Sequence, residues 1–531
     1  MVRSSWPRAV LLAACVLWAS PSYAKTLVYC SEGDPEAFNP ALAMSGTAFD
    51  AGSRQIFDRL VEFDPKSDGL IPGLAASWQV AADGLTYTVN LRRGVHWQRS
   101  DRFAPSRDFN ADDVVFSFER QRTESHPFHK VSGGTYPYFE GMGFGDLILG
   151  IDRVDDYTIR FRLASPDMAF LADLAMDFAS IQSAEYADRM LRAGTPEEFD
   201  RAPIGTGPFQ LVRYDRGAQI RYGAHPDYWR GRSQIDTLVF VVTPDPLIRY
   251  ARLRNNECQA MPYPNPGDLD TIRRDRSLVV VEQPVLGTSY LAFNTEKAPF
   301  NNKLVREAVN LAIDRAAIIS AVFAGGAQPA ANPLPPAMWG VDPSTRQFGY
   351  DPARARALLA QAGVAPGTRV TLWAMTVQRP YNPDAKLMAQ LIQQDLRVVG
   401  IAAEIVTYDW SEYLRRTANG EHDLMLFGWI SDNGDPDNFL TPLLSCQAIG
   451  GGFNRARWCS PEFDQLTTEA VRTVDADRRA DLYRRAQAVF AEALPWAPIA
   501  YPQSYLVLRG EVTGYQPNRF GLHAFYGTDV R

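Results

Sequence analysis

The sequence predicts an α/β protein built around more than one core, and three observations carry that reading. The chain has 531 residues, which at roughly 150 residues per domain asks for about three to four units. Its apolar fraction is 46% with 22% charged residues, ordinary for a globular protein and too apolar for a disordered one. Its second half alternates strand and helix patterns, the mark of an α/β domain.

The elements follow in order. Residues 1–24 carry only Arg3 and Arg8, both ahead of the apolar run Ala9–Trp18, with small residues Ser22 and Ala24 behind it. This is an export signal cleaved after Ala24, and the run is about half of the 18 residues or more that a membrane span needs. Losing two Arg and no acids moves the formal charge from −7 to −9. A rival reading cleaves before Cys15 in Leu12-Ala13-Ala14-Cys15 and leaves a lipid-anchored protein. The apolar run continues past Cys15, which favours Ala24.

Leu27–Cys30 reads as a short buried strand and Tyr87–Leu91 as an alternating one. Asn110 is placed to cap a helix carrying Val114, Val115, Phe116 and Phe118. Thr237–Val242 is a continuous apolar strand. From Asn301 the apolar residues Val305, Ala308, Val309, Ala312, Ile313 and Ala316 recur on one helical face, ended by Gly325-Gly326. Asp351-Pro352 opens another helix, with Gly363 at its end. Val370–Trp373 is a strand, Leu387–Val399 a helix stopped by Gly400, and Ala402–Val406 and Leu424–Phe427 are strands. There is no internal repeat and no long linker, so the units pack together.

Several functions are excluded. The acidic balance gives no basic footprint for nucleic acid. No phosphate-binding loop, H-E-x-x-H, G-x-S-x-G or dinucleotide fingerprint occurs. His126-Pro127-Phe128-His129 reads as a solvated turn rather than a metal pair. Asp432–Asp437 superficially resembles a calcium loop, but a Pro lies inside it and its twelfth position is Leu443 instead of Glu. No metal and no cofactor are expected.

Export leaves Cys30, Cys258, Cys446 and Cys459, an even number suited to two disulfides in an oxidising compartment. Four cysteines allow three pairings. Cys446 and Cys459 flank Gly450-Gly451-Gly452, so their loop closes easily, and Cys30 with Cys258 would then tie the start of the chain to its middle. A zinc site is the alternative, disfavoured because no Cys-x-x-Cys pair is present.

Two strand-end segments could carry function, because ligands of α/β sheets sit beyond the carboxyl ends of strands. Trp373–Tyr381 contains Arg379, which can clamp a carboxylate through two donors. Gly428–Asp435 sets an aromatic, Trp429, beside carboxylates. On motif grounds alone the plainer reading is favoured, a surface Arg and a turn Asp.

Stretches spread over the whole mature chain resemble the dipeptide branch of the solute-binding family that serves bacterial ABC importers, a family that also covers oligopeptides and nickel. They include KTLVYCSEGDPEAFNPALAMSGTAFDA, IPGLAASWQVAADGLTYTVNLRRGVHW, KVSGGTYPYFEGMG, FLADLAMDFASI, PIGTGPFQLVRY and ECQAMPYPNP. In the second half WAMTVQRPYNP, IVTYDWSEYLRR, GWISDNGDPDNF and the four mature cysteines match.

The resemblance implies a two-lobed α/β fold of the periplasmic binding protein type, cluster C. The first lobe would comprise 25–284 and 503–531, with an extra subdomain over about 57–206, and the second lobe 285–502. It implies bridges Cys30–Cys258 and Cys446–Cys459. By motif match Asp432 takes a peptide's α-ammonium group and Arg379 its α-carboxylate. Ser45, Gly46 and Thr47 close over the ligand, and Trp429 and Tyr381 line the site. Ile430-Ser431 stands where the family has Thr-Gly, altering the wall beside the amino group. The expected function is a non-catalytic periplasmic dipeptide receptor, monomeric, serving an inner-membrane permease and ATPase complex, with a chemoreceptor as a further partner. Haem, longer peptides or a modified amino acid are alternative ligands, and a secreted hydrolase is the alternative of another class.

One acid and one Arg at a fixed separation select peptide length, since each extended residue adds about 3.3–3.6 Å. A tripeptide would leave an end charge unpaired in a dry cleft. Side chains are expected in roomy, partly hydrated pockets.

Overall fold

Two separate sheets receive the chain in turn. The computed structural model describes residues 24–64, 69–283, 285–450 and 452–531. The export-signal reading and its Cys15 alternative concern residues 1–23 and lie outside the described residues.

The first sheet has seven strands, in the order Leu278–Gln283, Ser504–Arg509, Ala260–Pro262, Thr26–Ser31, Thr237–Val242, Gln219–Ala224 and Phe209–Asp215. Thr26–Ser31 runs parallel to Thr237–Val242, with Thr26 opposite Thr237. Both strands are apolar runs because both faces of this central pair are covered. Cys30 bonds Cys258 beside them. The second sheet orders Ala327–Pro329, Trp496–Pro502, Gly287–Phe293, Leu424–Ile430, Thr368–Trp373 and Ile401–Val406. A third sheet, four-stranded and antiparallel, is formed by Ala75–Val80, Thr86–Leu91, Thr158–Leu163 and Ile148–Asp155.

The chain thus leaves the first large sheet at Gln283 and enters the second at Gly287. It returns between Pro502 and Ser504. Leu286 sits in the first of these crossings and is bonded to both sides. Its N–H donates to the Arg519 carbonyl at 3.3 Å, and its carbonyl accepts from Ser431 N at 2.7 Å.

The expected strands form, with ends shifted by a residue or so. Two differences matter. Leu424–Phe427 continues to Ile430, so Trp429 and Ile430 belong to the strand and are held by pairing with Thr288 and Gly287. The single helix expected from Asn301 is two, Lys303–Ala312 and Arg315–Phe323. Asp314 breaks it by accepting a hydrogen bond from Ala317 N at 3.0 Å and starting the second helix as its cap. At Asn110 the expected cap is reinforced by Asp113, which takes the Asn110 N–H in return. The His126–His129 turn is half-buried rather than solvated, His129 bonding the Arg120 carbonyl at 2.9 Å.

The largest apolar cluster is shared between the lobes. It joins Phe49, Tyr138 and Phe178 of the first to Tyr381, Phe427, Trp429 and Phe453 of the second. Such aromatic pairs add about 0.5–1.5 kcal/mol each beyond the area they bury, so the cleft wall is itself a packed core.

Candidate functional site

Between the lobes lies a cavity of about 70 Å³. At about 10–15 Å³ per water centre this is room for about five waters. Of its eighteen lining residues only Arg379 and Asp432 are charged. The expectation of roomy pockets is not met by this cavity, and side-chain space has to be sought beside it.

Arg379 is no surface Arg. It is 5% exposed in the segment that leaves strand Thr368–Trp373. A backbone bridge between Arg379 and Asn382 folds that segment back, with N–H groups donating both ways at 3.2 and 2.9 Å. Its Nη1 donates to Glu32 Oε1 at 2.8 Å and to the Gln378 carbonyl at 3.1 Å, and its Nη2 to Thr47 Oγ1 at 3.0 Å. The guanidinium lies 5.4 Å from the centre of the Trp410 ring. Three of its five donors are thus used. Burial works against its charge and the Glu32 carboxylate more than compensates, so its pKa is held above the ordinary Arg value. The neighbouring Gln378 is pinned by Arg249 of the first lobe through a hydrogen bond to its Oε1. Arg249 also donates to the Tyr263 carbonyl at 3.0 Å.

Asp432 follows strand Leu424–Ile430. Its N–H donates to Asn438 Oδ1 at 2.8 Å, and Trp429 Nε1 donates to the same oxygen at 3.0 Å. One amide oxygen in the next helix therefore orients both the aromatic and the acid. The rest of the loop is self-satisfied: Gly434 N donates to Ser431 Oγ at 2.9 Å and Asp435 N to Asn433 Oδ1 at 2.8 Å. Asp435 pairs with Arg479 at 2.9 Å. Asp432 Oδ2 is different. It is buried and accepts no hydrogen bond among the described residues. Burial first, and the Asp177 charge second, push this carboxyl up to about 8.

Ser45 and Gly46 line the cavity from the first lobe, and Tyr381 and Trp429 from the second. Ser45 caps the helix Gly46–Ala51 and donates to Glu36 Oε2 at 2.5 Å. Thr47 is not among the lining residues. It stands behind Arg379, donating to Glu32 Oε1 at 2.5 Å. Tyr381 lies flat on the strand at Gly428, where an added Cβ would come within 2.3 Å of its Cγ.

Sequence reasoning missed Glu32, Tyr138, Tyr263, Trp410 and Phe520. Glu32 and Tyr263 both follow strands that end at this cleft, so the strand-end rule applied to the first lobe would have flagged them. Tyr263 has φ +49, a left-handed conformation uncommon for a bulky residue. Its N–H donates to the Tyr505 carbonyl at 3.0 Å. Tyr138 and Phe520 carry no such signal.

An arrangement with one cation and one orphaned carboxyl in a small, aromatic-walled cavity suits a small zwitterion.

Comparison with known proteins gives the following. The model for bacterial extracellular solute-binding proteins, family 5 (middle), matches residues 69–451. The dipeptide-binding protein of Escherichia coli is 50% identical over 512 residues, 96% of each chain. Heme-binding protein A of Haemophilus influenzae is 46% identical over 512 residues, 96% of this chain and 93% of its own. The crystal structure of a Pseudoalteromonas dipeptide-binding protein in complex with Met-Leu has a TM-score of 0.93 at 38% identity, covering 96% of this chain and 100% of that one.

Proposed function

The chain belongs to the family 5 bacterial extracellular solute-binding proteins, and from that membership we propose that it is a dipeptide receptor whose two lobes close over the peptide. A solute-binding protein carries its cargo unchanged, so the chain is not an enzyme. The observation that carries the dipeptide reading is the pairing of an orphaned Asp432 Oδ2 with a buried Arg379 as the two charges of one small cavity.

In this reading Asp432 takes the α-ammonium, which supplies both the missing hydrogen bond and the missing positive charge. The donors of Arg379 left over from Glu32, Gln378 and Thr47 take the α-carboxylate. Trp429 and Tyr381 wall the peptide, and Ser45 and Gly46 cover it, with Thr47 acting through Arg379. Closure is a population shift, because only the closed form offers a ligand both charges and both walls.

The sheet membership of the strands supports a first lobe of 25–284 with 503–531, carrying a subdomain over about 57–206, and a second lobe of 285–502. We place the mature protein in the periplasm after cleavage at Ala24, as a monomer that delivers peptide to an inner-membrane permease and ATPase, with a chemoreceptor as a further partner. Among the described residues no helix is long and apolar enough to cross a membrane.

Haem is the second reading, drawn from the Haemophilus relative's name. A cavity with room for about five waters that sets one acid opposite one Arg matches the two ends of a small peptide better than a porphyrin, so dipeptide is favoured. Calorimetry on residues 25–531 tests this: heat with dialanine supports it, and heat with tripeptides or haem but none with any dipeptide overturns it.

A further inference from the structure

Beside the peptide cavity lies a second chamber of about 350 Å³ in the first lobe. Phe520 is the one described residue that lines both. Its ring packs on Phe63 with centres 4.6 Å apart. It sits on a loop rather than on a helix or strand, and Asn518 sets the shape of that loop. Asn518 Oδ1 accepts from Phe520 N at 3.0 Å and from Leu522 N at 3.3 Å, while its Nδ2 donates to the Leu522 carbonyl at 2.6 Å. The backbone is thus fixed by hydrogen bonds that do not involve the ring, and the ring can turn about its side-chain bonds without breaking them.

The chamber behind Phe520 is strongly polar, and most of its charge is already satisfied. Asp58 accepts from Thr206 at 2.9 Å, Trp229 at 3.0 Å and Tyr228 at 3.1 Å. Glu62 pairs with Arg59 at 2.6 Å, and Arg54 reaches Asp177 at 2.7 Å. Asp64 is engaged as well. Arg230 is different. Its guanidinium lies 4.5 Å over the Trp229 ring. Its main-chain carbonyl accepts from Tyr526 Oη at 2.6 Å, but its side chain makes no ion pair among the described residues. Arg230 is exposed at the mouth of the chamber, where its charge favours the Asp58 carboxylate, and a guanidinium stacked on an aromatic with no geometric partner can still receive a second carboxylate.

We infer that this chamber is a side-chain subsite for an acidic residue of the bound peptide, with Phe520 as the movable partition and Arg230 as the charge that selects it. The inference rests on the dipeptide reading above. It supplies the side-chain room that the peptide cavity lacks, and it ties that room to one sign of charge.

The test is calorimetry with dialanine, Ala-Glu, Glu-Ala and Ala-Lys on the mature protein, Arg230→Gln, Phe520→Ala and the double variant. Expressed as affinity relative to dialanine, Phe520→Ala should raise one of the two acidic peptides by about tenfold or more and leave Ala-Lys behind. Arg230→Gln should lower that same ratio by about threefold or more, alone and in the double variant. An equal gain for Ala-Lys, or acidic ratios unmoved by Arg230→Gln, overturns the inference. Should Phe520→Ala not fold, Phe520→Leu and Arg230→Gln in the otherwise native chain decide it by the same ratios. Failure of the native protein to bind any of the four peptides would instead count against the dipeptide reading itself.

Discussion

Arg379 of the second lobe and Glu32 of the first meet across the cleft, Nη1 to Oε1 at 2.8 Å, with side chains 6% and 1% exposed. The Thr47 hydroxyl bonds both partners. The residue expected to hold the ligand's carboxylate is therefore also a tie between the lobes.

That double role predicts a separable pair of defects. Arg379→Met leaves Glu32 buried and uncompensated, which costs about 3–5 kcal/mol of stability. Adding Glu32→Gln removes the stranded charge and should restore much of that stability, yet peptide affinity should stay lost because the carboxylate still has no guanidinium. Denaturant midpoints and calorimetry on the two single variants and the double variant read this directly. Simply additive stabilities would refute the coupling.

Asp432 makes the protein's stability depend on pH. Its carboxyl sits at about 8 in the folded chain, for reasons of burial first and the Asp177 charge second. The unfolded chain loses the same proton near about 3.9. The folded state binds the proton more tightly, so this group's contribution is fully present below the unfolded value and is lost as the pH rises through about 8. Asp432→Asn should melt higher than the native protein at about pH 8, by about 2 °C or more, with the gap closing near about pH 4. A dipeptide should raise the native melting temperature at about pH 8 and leave that of the variant unchanged. Superimposable melting curves for the two proteins across this range would remove the argument.

The parts of this fold set by local chemistry were readable in advance. Strand Thr237–Val242 announces itself by five consecutive apolar residues after Thr237, and the helices at Asn110 and Asp351 by their caps. The break at Asp314 was missed because apolar spacing runs through it, whereas a capping carboxylate ends the first helix there. At the site, Arg379 and Asp432 lie on strand-end loops of the readable α/β half. Glu32 directly follows strand Thr26–Ser31 and was open to the same rule, whereas Tyr138 and Phe520 come from segments whose approach to the cleft depends on how two sheets fold against each other. No periodicity in a single stretch encodes that.

Gly428 should be indispensable to the wall. A Cβ there would come within 2.3 Å of Tyr381 Cγ and 2.7 Å of the Thr288 carbonyl. The carbonyl belongs to a paired strand and cannot yield, so Gly428→Ala must displace Tyr381 toward the ligand space. Overpacking of this kind costs about 1–3 kcal/mol, and dipeptide affinity should fall by about tenfold or more. Adding Tyr381→Ala should relieve the clash and recover the stability in a melting experiment. A variant no more stable with the smaller side chain at 381 would show that the clash is absorbed elsewhere.

The two disulfides should fail in different ways. Cys30–Cys258 spans 228 residues and Cys446–Cys459 spans 13. On chain entropy alone the first is worth about 5 kcal/mol and the second about 3. The shorter loop, however, carries the cleft wall. Phe453 inside it packs on Trp429 at 4.9 Å and on Tyr138 of the other lobe at 5.1 Å. Gly452 backs onto Gly141, where an added Cβ would meet its Cα at 3.1 Å. Freeing the loop loosens the surface against which Trp429 and the peptide are packed. Replacing Cys446 and Cys459 by Ala should therefore lower stability less than replacing Cys30 and Cys258, yet reduce dipeptide affinity by about fivefold or more. Melting temperatures and calorimetry on the two double variants give both orders. Unchanged affinity in the Cys446, Cys459 variant would mean that Phe453 holds its place through ring contacts alone, without the bridge.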